Sequence, residues 1–419
     1  MKILFLTSRF PYPAIKGDQV VIYNRLRYLS KFHEITLVCL YQKEQELTAL
    51  EYIKSYCAAV HVVKLSKYQS IVNVLTKAAF SNIPLQVLYY LSADFKEQVK
   101  KLLAENDFDL IHAYLIRTAE YIEQSRLPKV LDLIDSMHLN IVQRMALASP
   151  LKRLFYWEEW RRIKQYEHWI GNKFNHMIVV AQKDKEFLTA KNLSVIPLGV
   201  NTDAYCPITD TEKKYTLIFS GNMSYAPNIN AVTWFVDHCF PEIQRKINYV
   251  TFAIAGSSPS AKIQELAKRR GIVVTGFVDS MPQTLNEAHI AIAPMQSASG
   301  MQNKILEAMA CGLPVITTSL GLGSIKARQG QNILVADTPE RFIQQVLMLV
   351  DDAAQAKKIG IQARSYVMDK HSWDHSNQLV EDIYRQVLAD VHPGNHGGRN
   401  FCEPSDTAIS VEQAIVTRA

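Results

Sequence analysis

The side chains best suited to chemistry in this sequence lie in Asn303-Lys304-Ile305-Leu306-Glu307-Ala308-Met309-Ala310, a run of good helix formers preceded by Ser297-Ala298-Ser299-Gly300. A helix opening after such a loop turns its first backbone N–H groups toward an anion, and a diphosphate would fit there. Lys304 and Glu307 are three residues apart and share a helix face. A lysine in the first turn opposes the helix dipole unless an anion sits opposite. That favours phosphate binding over the alternative, a surface Lys304–Glu307 ion pair. Glu307, an acceptor for hydroxyl groups, suits the ribose of a nucleotide.

The first half of the chain carries further candidates. Gly17 follows a proline-rich loop and precedes a helix starting near Asp18; either it lets a ligand approach the backbone, or it is a turn residue beside an Asp cap. Lys16 stands next to it, able to face an acceptor or donor phosphate. Asp132 and Asp135 flank the end of a strand, with Ser136 and His138 nearby, where a parallel sheet binds ligands or where carboxylates cap loops. Two βα turns contain glycine, Ala255-Gly256-Ser257-Ser258-Pro259 and Thr275-Gly276-Phe277.

Parallel βα units must position these residues. Short β-branched runs alternate with helical periodicity: Ile3–Thr7, Ile35–Leu40, Val60–Leu65, Leu110–His112, Val130–Asp132 and Met177–Val180, then Leu217–Ser220, Thr251–Ala255, Ile272–Thr275, Ile290–Ala293, Val315–Thr317 and Ile333–Val335. Between the two series, Pro197 and Gly199 interrupt a strand-like run, which predicts domains over 1–195 and 196–391, the last helix being able to pack back on the N-terminal domain. Two doubly wound domains in tandem leave a cleft at their strand C-termini. Residues 392–419 lack a core-forming pattern and read as a disordered tail.

A chain of 419 residues, 48% hydrophobic and 21% charged, is too long for one core and has the composition of a globular protein. Its six cysteines are widely spaced, with no Cys-x-x-Cys pair, which points to reduced thiols in a cytoplasm and no structural zinc. The apolar run at Ile3–Leu6 is too short for a signal peptide, and no stretch is apolar enough to span a membrane. Residues 1–199 hold 27 Lys+Arg against 19 Asp+Glu, and residues 200–419 hold 19 against 21, giving +8 and −2. The basic half suits an anionic lipid surface at the inner face of the plasma membrane or a phosphorylated acceptor, or else solvated helix faces. Pro150–Lys173, with Leu154, Phe155, Trp157, Trp160, Ile163, Tyr166 and Trp169, reads as an amphipathic helix, packed on its own domain or lying on a membrane. Basic residues are scattered and no recognised module appears, so nucleic acid is not an expected partner.

The block Gly300–Val315 resembles the C-terminal donor motif of family-four GT-B glycosyltransferases, and closely resembles the polysaccharide-associated sugar transferases in which Gly-x-Gln-Asn-Lys precedes Leu-Glu-Ala-Met-Ala. Pro11-Tyr12-Pro13 with Lys16-Gly17-Asp18, Arg161 with Tyr166-Glu167, Ile196–Asn201, Phe219–Asn228 and Val274–Val278 agree in the family's order, over roughly residues 1–385. The resemblance implies a GT-B fold, two doubly wound parallel-sheet α/β domains facing across a cleft. It also implies retaining transfer from a nucleotide-sugar donor to a glycan or lipid-linked acceptor in surface or exopolysaccharide synthesis, with no cofactor. No metal is expected, because no Asp-x-Asp pair follows an apolar strand and a helix terminus with Lys304 is available for the diphosphate. The donor site would comprise Gly221, Asn222, Phe277, Ser299, Gly300, Gln302, Asn303, Lys304 and Glu307. Lys16 and Gly17 would form an acceptor or phosphate loop, and Lys304, Asp135 and His112 are the candidates for catalysis.

The sequence departs from the family pattern at three places. Of the usual paired glutamates, the first falls on Ser299 and only Glu307 remains. The Gly-Arg…Lys phosphate clamp reads Gly221-Asn222 with Pro227-Asn228, leaving Lys304 as the substitute cation. The second histidine of a His-x-His pair is Tyr114, His112 taking the first place. A GT-B epimerase and an inactive nucleotide-sugar-binding protein are the competing readings. A nicotinamide oxidoreductase is disfavoured, because the first βα turn, Ser8–Pro13, has no glycine.

Overall fold

The computed structural model describes residues 1–14, 17–146, 149–297 and 301–391. Lys16, Ser299, Gly300 and the 392–419 tail lie outside the described residues, so the expectations placed on them are not addressed below.

The chain forms two compact units, Met1–Ile196 completed from Asn377 onward, and Pro197–Ser376. In the first, seven parallel strands, β1 (Lys2–Thr7), β2 (Glu34–Tyr41), β3 (Ala59–Lys64), β4 (Leu110–Tyr114), β5 (Lys129–Ile134), β6 (His176–Val179) and β7 (Leu193–Val195), lie in the order β3-β2-β1-β4-β5-β6-β7. Ile3 pairs with both Ile35 and Leu110, so β1 is central and reads as a continuous apolar run. The second unit orders its six parallel strands β10-β9-β8-β11-β12-β13: β8 (Tyr215–Ser220), β9 (Phe252–Ala255), β10 (Ile272–Gly276), β11 (Ala288–Ala293), β12 (Val315–Thr317) and β13 (Leu334–Val335). Phe219, Phe235, Phe252 and Phe342 are fully buried in its core.

Both sheets are doubly wound, with the strand order reversing between β1 and β4 and between β8 and β11. Loops after those strands diverge to opposite faces, which opens a crevice at the strand C-termini. The helix Pro150–Gly171 buries Ile163, Tyr166 and Ile170, but leaves Leu154, Phe155 and Trp157 exposed. Its second half is therefore a core helix of the first unit and its first half is not. Among the described residues no helix is long and apolar enough to cross a membrane.

The final helix, Trp373–Val391, begins in the second unit and ends in the first. In the first unit its Asn377 Oδ1 accepts from Arg25 Nη1 at 2.7 Å, and its Tyr384 hydroxyl meets His112 Nδ1 at 2.6 Å.

Candidate functional site

The second unit's switch point is built from three loops. After β8, Gly221 adopts φ 152°; a Cβ there would lie 2.8 Å from Asn228 Nδ2 and 3.4 Å from Lys304 Nζ. After β9, Gly256 adopts φ 140°, and a Cβ there would lie 1.9 Å from the Gly221 carbonyl oxygen. The two strand ends thus run backbone against backbone, a contact only glycine allows. After β11, Thr317 donates to Ala293 O and Thr318 to Met295 O, at 2.8 and 2.7 Å, tying the loop's start to the neighbouring β12.

That loop leads to the helix Asn303–Ala310. Ile305, Leu306, Ala308 and Met309 are buried beneath it, so Lys304 and Glu307 are left on the face away from the core. Lys304 does not pair with Glu307. Its ammonium donates to Asn228 Oδ1, lies 3.8 Å from Met295 Sδ, and sits 4.5 Å from the centroid of the Phe219 ring. Burial lowers the Lys304 pKa to about 8, opposed only in part by the Glu307 charge. Burial raises Glu307 to about 7, opposed in part by Lys304. Each group is held in a poorly solvated position that disfavours its charge, and a bound anion beside Lys304 would favour the ammonium and raise its pKa.

Asn222 is exposed, and its Oδ1 accepts from Ser224 N and Oγ at 2.9 and 2.7 Å, a local turn that fixes the loop. Its carbonyl accepts from Asn228 Nδ2 at 2.8 Å. Asn228, buried near the start of the helix Ala226–His238, therefore links the glycine loop to Lys304, a role the sequence reading did not give it. Phe277 follows Gly276 at the end of β10 and is 75% exposed, an apolar ring displayed beside the strand ends. Gln302 and Asn303 stand at the start of the Lys304 helix.

In the first unit the candidates separate. His112 is a correction. It lies mid-strand and fully buried, stacked on Phe5 with ring centroids 4.3 Å apart, and burial pushes its pKa well down. A neutral imidazole sealed in the core cannot exchange a proton with substrate. Tyr114 is equally buried and donates to Asp18 O at 3.2 Å. Asp132 is buried against the Arg25 guanidinium at 3.3 Å, whereas Asp135, beyond Ile134 at φ 67°, is exposed. The loop carrying Asp135 is clamped from behind. Glu167 accepts from Met137 N at 2.8 Å and Ser136 Oγ at 3.3 Å, and Asp184 accepts from Ser136 N at 3.0 Å. Burial raises Glu167 to about 7. Gly17 opens the helix Gly17–Leu29, and an added Cβ would meet nothing within 4 Å.

Residues 214–352 match the family model described as glycosyl transferases group 1. A curated relative, an uncharacterized 44.6 kDa protein in the cps region of Klebsiella pneumoniae, is 22% identical over 412 residues, covering 92% of this chain and 99% of that protein. The sucrose-phosphate synthase structure from Thermosynechococcus elongatus superimposes with a TM-score of 0.63 at 16% identity, covering 93% of this chain and all of that one. Anabaena HepE in complex with UDP-glucose gives 0.58 at 17% identity, covering 92% of this chain and all of that one. The chain thus carries a glycosyl transferases group 1 domain over residues 214–352 and shares the two-domain GT-B fold of the solved glycosyltransferases it resembles.

Proposed function

We propose that this enzyme moves a sugar, with retention, from a nucleoside diphosphate donor to a glycan or lipid-linked acceptor in surface polysaccharide synthesis. The observation that carries the reading is the Lys304 ammonium, poised beside the Gly221 backbone at the first turn of a helix. The helix N-terminus and Lys304 would hold the diphosphate, together with backbone at Gly221, Asn222, Gln302 and Asn303. Glu307, one turn on, would accept from the ribose, and exposed Phe277 would pack on the base. When the bond from sugar C1 to the diphosphate breaks, negative charge grows on the leaving oxygen, and Lys304 would stabilise it. The acceptor hydroxyl supplies the new bond and loses its proton; Asp135 is the carboxylate we propose on the acceptor side. UDP as the nucleotide is supported by the HepE complex with UDP-glucose, and polysaccharide synthesis by the cps-region relative.

The test is a thermal-shift screen of nucleoside diphosphates and nucleotide sugars on the purified chain, followed by an assay for nucleoside diphosphate release. A true donor stabilises the fold by mass action. Release that depends on an acceptor supports transfer. An epimerised nucleotide sugar formed without acceptor, or no stabilisation by any donor, would overturn it.

A further inference from the structure

Among the described residues, the first unit displays an exposed apolar surface with an excess of basic side chains around it. On the helix Lys67–Lys77, Tyr68, Ile71 and Leu75 recur at helical spacing and are exposed, while Ser70 on the opposite side is buried. Phe80, three residues past the helix, is 90% exposed. On the helix Pro150–Gly171, Leu154, Phe155 and Trp157 are exposed as well. The two sites are neighbours: Arg162 Nη2 donates to Ala78 O and its Nη1 to Ser81 O, both at 2.8 Å, so the turn after the first helix is held against the second about one turn beyond Trp157.

Charge marks the same two stretches. Between Glu51 and Asp94 there is no acidic residue, but there are Lys54, Lys64, Lys67 and Lys77. Between Asp135 and Glu158 there is again none, but there are Arg144, Lys152 and Arg153. Lys54 and Lys64 are paired with Glu51 and Glu44, and Glu158 beside Trp157 is paired with Arg161 and Arg162, which leaves Lys67, Lys77, Arg144, Lys152 and Arg153 as the cations that flank the exposed apolar side chains. A protein-facing surface has no need of such one-sided charge, whereas an anionic bilayer interface takes apolar side chains beneath its headgroups and attracts lysine and arginine above them.

We infer that the first unit docks on an anionic phospholipid bilayer, with Tyr68, Ile71, Leu75, Phe80, Leu154 and Trp157 entering the headgroup region. This goes beyond the transfer reaction and is independent of it, since binding is measured with neither donor nor acceptor.

The experiment is co-sedimentation of the full chain with vesicles of phosphatidylcholine alone or containing phosphatidylglycerol. Binding is expected to the anionic vesicles and to weaken with salt. Lys67→Gln with Lys77→Gln should weaken it by about fivefold per lysine. Phe80→Ser with Leu154→Ser should weaken it by at least about tenfold, since both apolar side chains leave the headgroup layer. These are surface positions, and an unchanged melting midpoint verifies that the variants fold. Equal binding to both vesicle types, no binding, or variants that bind like the parent would each overturn the inference. So would a concentration-dependent dimer that Phe80→Ser abolishes while vesicles go unbound, because a second copy would then be the occupant.

Discussion

Replacing Lys304 by methionine keeps an unbranched apolar side chain and removes the ammonium that sits over the Phe219 ring and donates to Asn228. If that ammonium holds the donor diphosphate, truncating one partner of a buried charged pair costs about 2–5 kcal/mol, or roughly one and a half to three and a half decades in kcat/KM. Part of the loss should persist at saturating donor, because leaving-group charge grows in the transition state. The lowered pKa supplies a second readout. With a value of about 8, Lys304 is mostly charged at pH 7 and mostly neutral at pH 9. Donor kcat/KM, which reports the free enzyme, should fall as pH rises through about 8. Lys304→Arg stays charged throughout, so it should erase this alkaline limb while recovering activity only in part. The unliganded fold supplies the control. Because the folded pKa is below the ordinary value of 10.5, the unfolded chain binds the extra proton between the two values, and stability contributed at this site rises with pH across that window. Lys304→Met removes the buried charge and should melt no lower than the parent at neutral pH. The assay is donor kinetics from pH 6 to 10 on parent, Met and Arg variants. Turnover of the Met variant within about threefold of the parent, or an alkaline limb that survives in the Arg variant, would refute the assignment.

Three further outcomes are expected. Glu307→Gln should weaken donor use by about 1.5–3 kcal/mol with acceptor KM unchanged, and should remove the acidic limb of donor kcat/KM, which lies near Glu307's value of about 7. Gly256→Ala should lower stability by about 2–4 kcal/mol in denaturant unfolding, since its Cβ would sit 1.9 Å from the Gly221 carbonyl oxygen at a positive φ. Activity should survive EDTA, because no Asp-x-Asp pair follows an apolar strand and, on the proposed function, Lys304 would supply the charge a divalent ion brings; loss in chelator with recovery on added magnesium or manganese would contradict this.

Strands in this chain announce themselves because buried parallel strands are continuous β-branched runs. Their ends are less legible, and that decides which polar residues are usable. The run Leu110–His112 continues as a strand to Tyr114, which takes His112 into the core, and Val130–Asp132 continues to Ile134, which buries Asp132 and frees Asp135. The strand-like run that Pro197 interrupts is β7, Leu193–Val195, a strand absent from the two series of β-branched runs because only three residues precede the break. The Lys304–Glu307 face was legible from helical spacing alone. Asn228 was not, because its contact with Lys304 spans 76 residues and nothing local to either position encodes it. The same holds for Gly221 against Gly256, whose proximity follows from strand order rather than from sequence neighbours.

The path of the chain makes the second unit an insertion within the first. Its entry and exit are side by side: Ser376 Oγ donates to the Pro197 carbonyl at 2.9 Å, and Val200 N donates to His371 O at 2.7 Å. Residues 197–376 are therefore a cassette joined to the rest of the chain through two adjacent junctions. During synthesis the order inverts. The ribosome releases the seven strands of the first unit early, but the Arg25 guanidinium and the His112 imidazole gain Asn377 and Tyr384 only when the final helix emerges. The half that is made first is the half that is completed last.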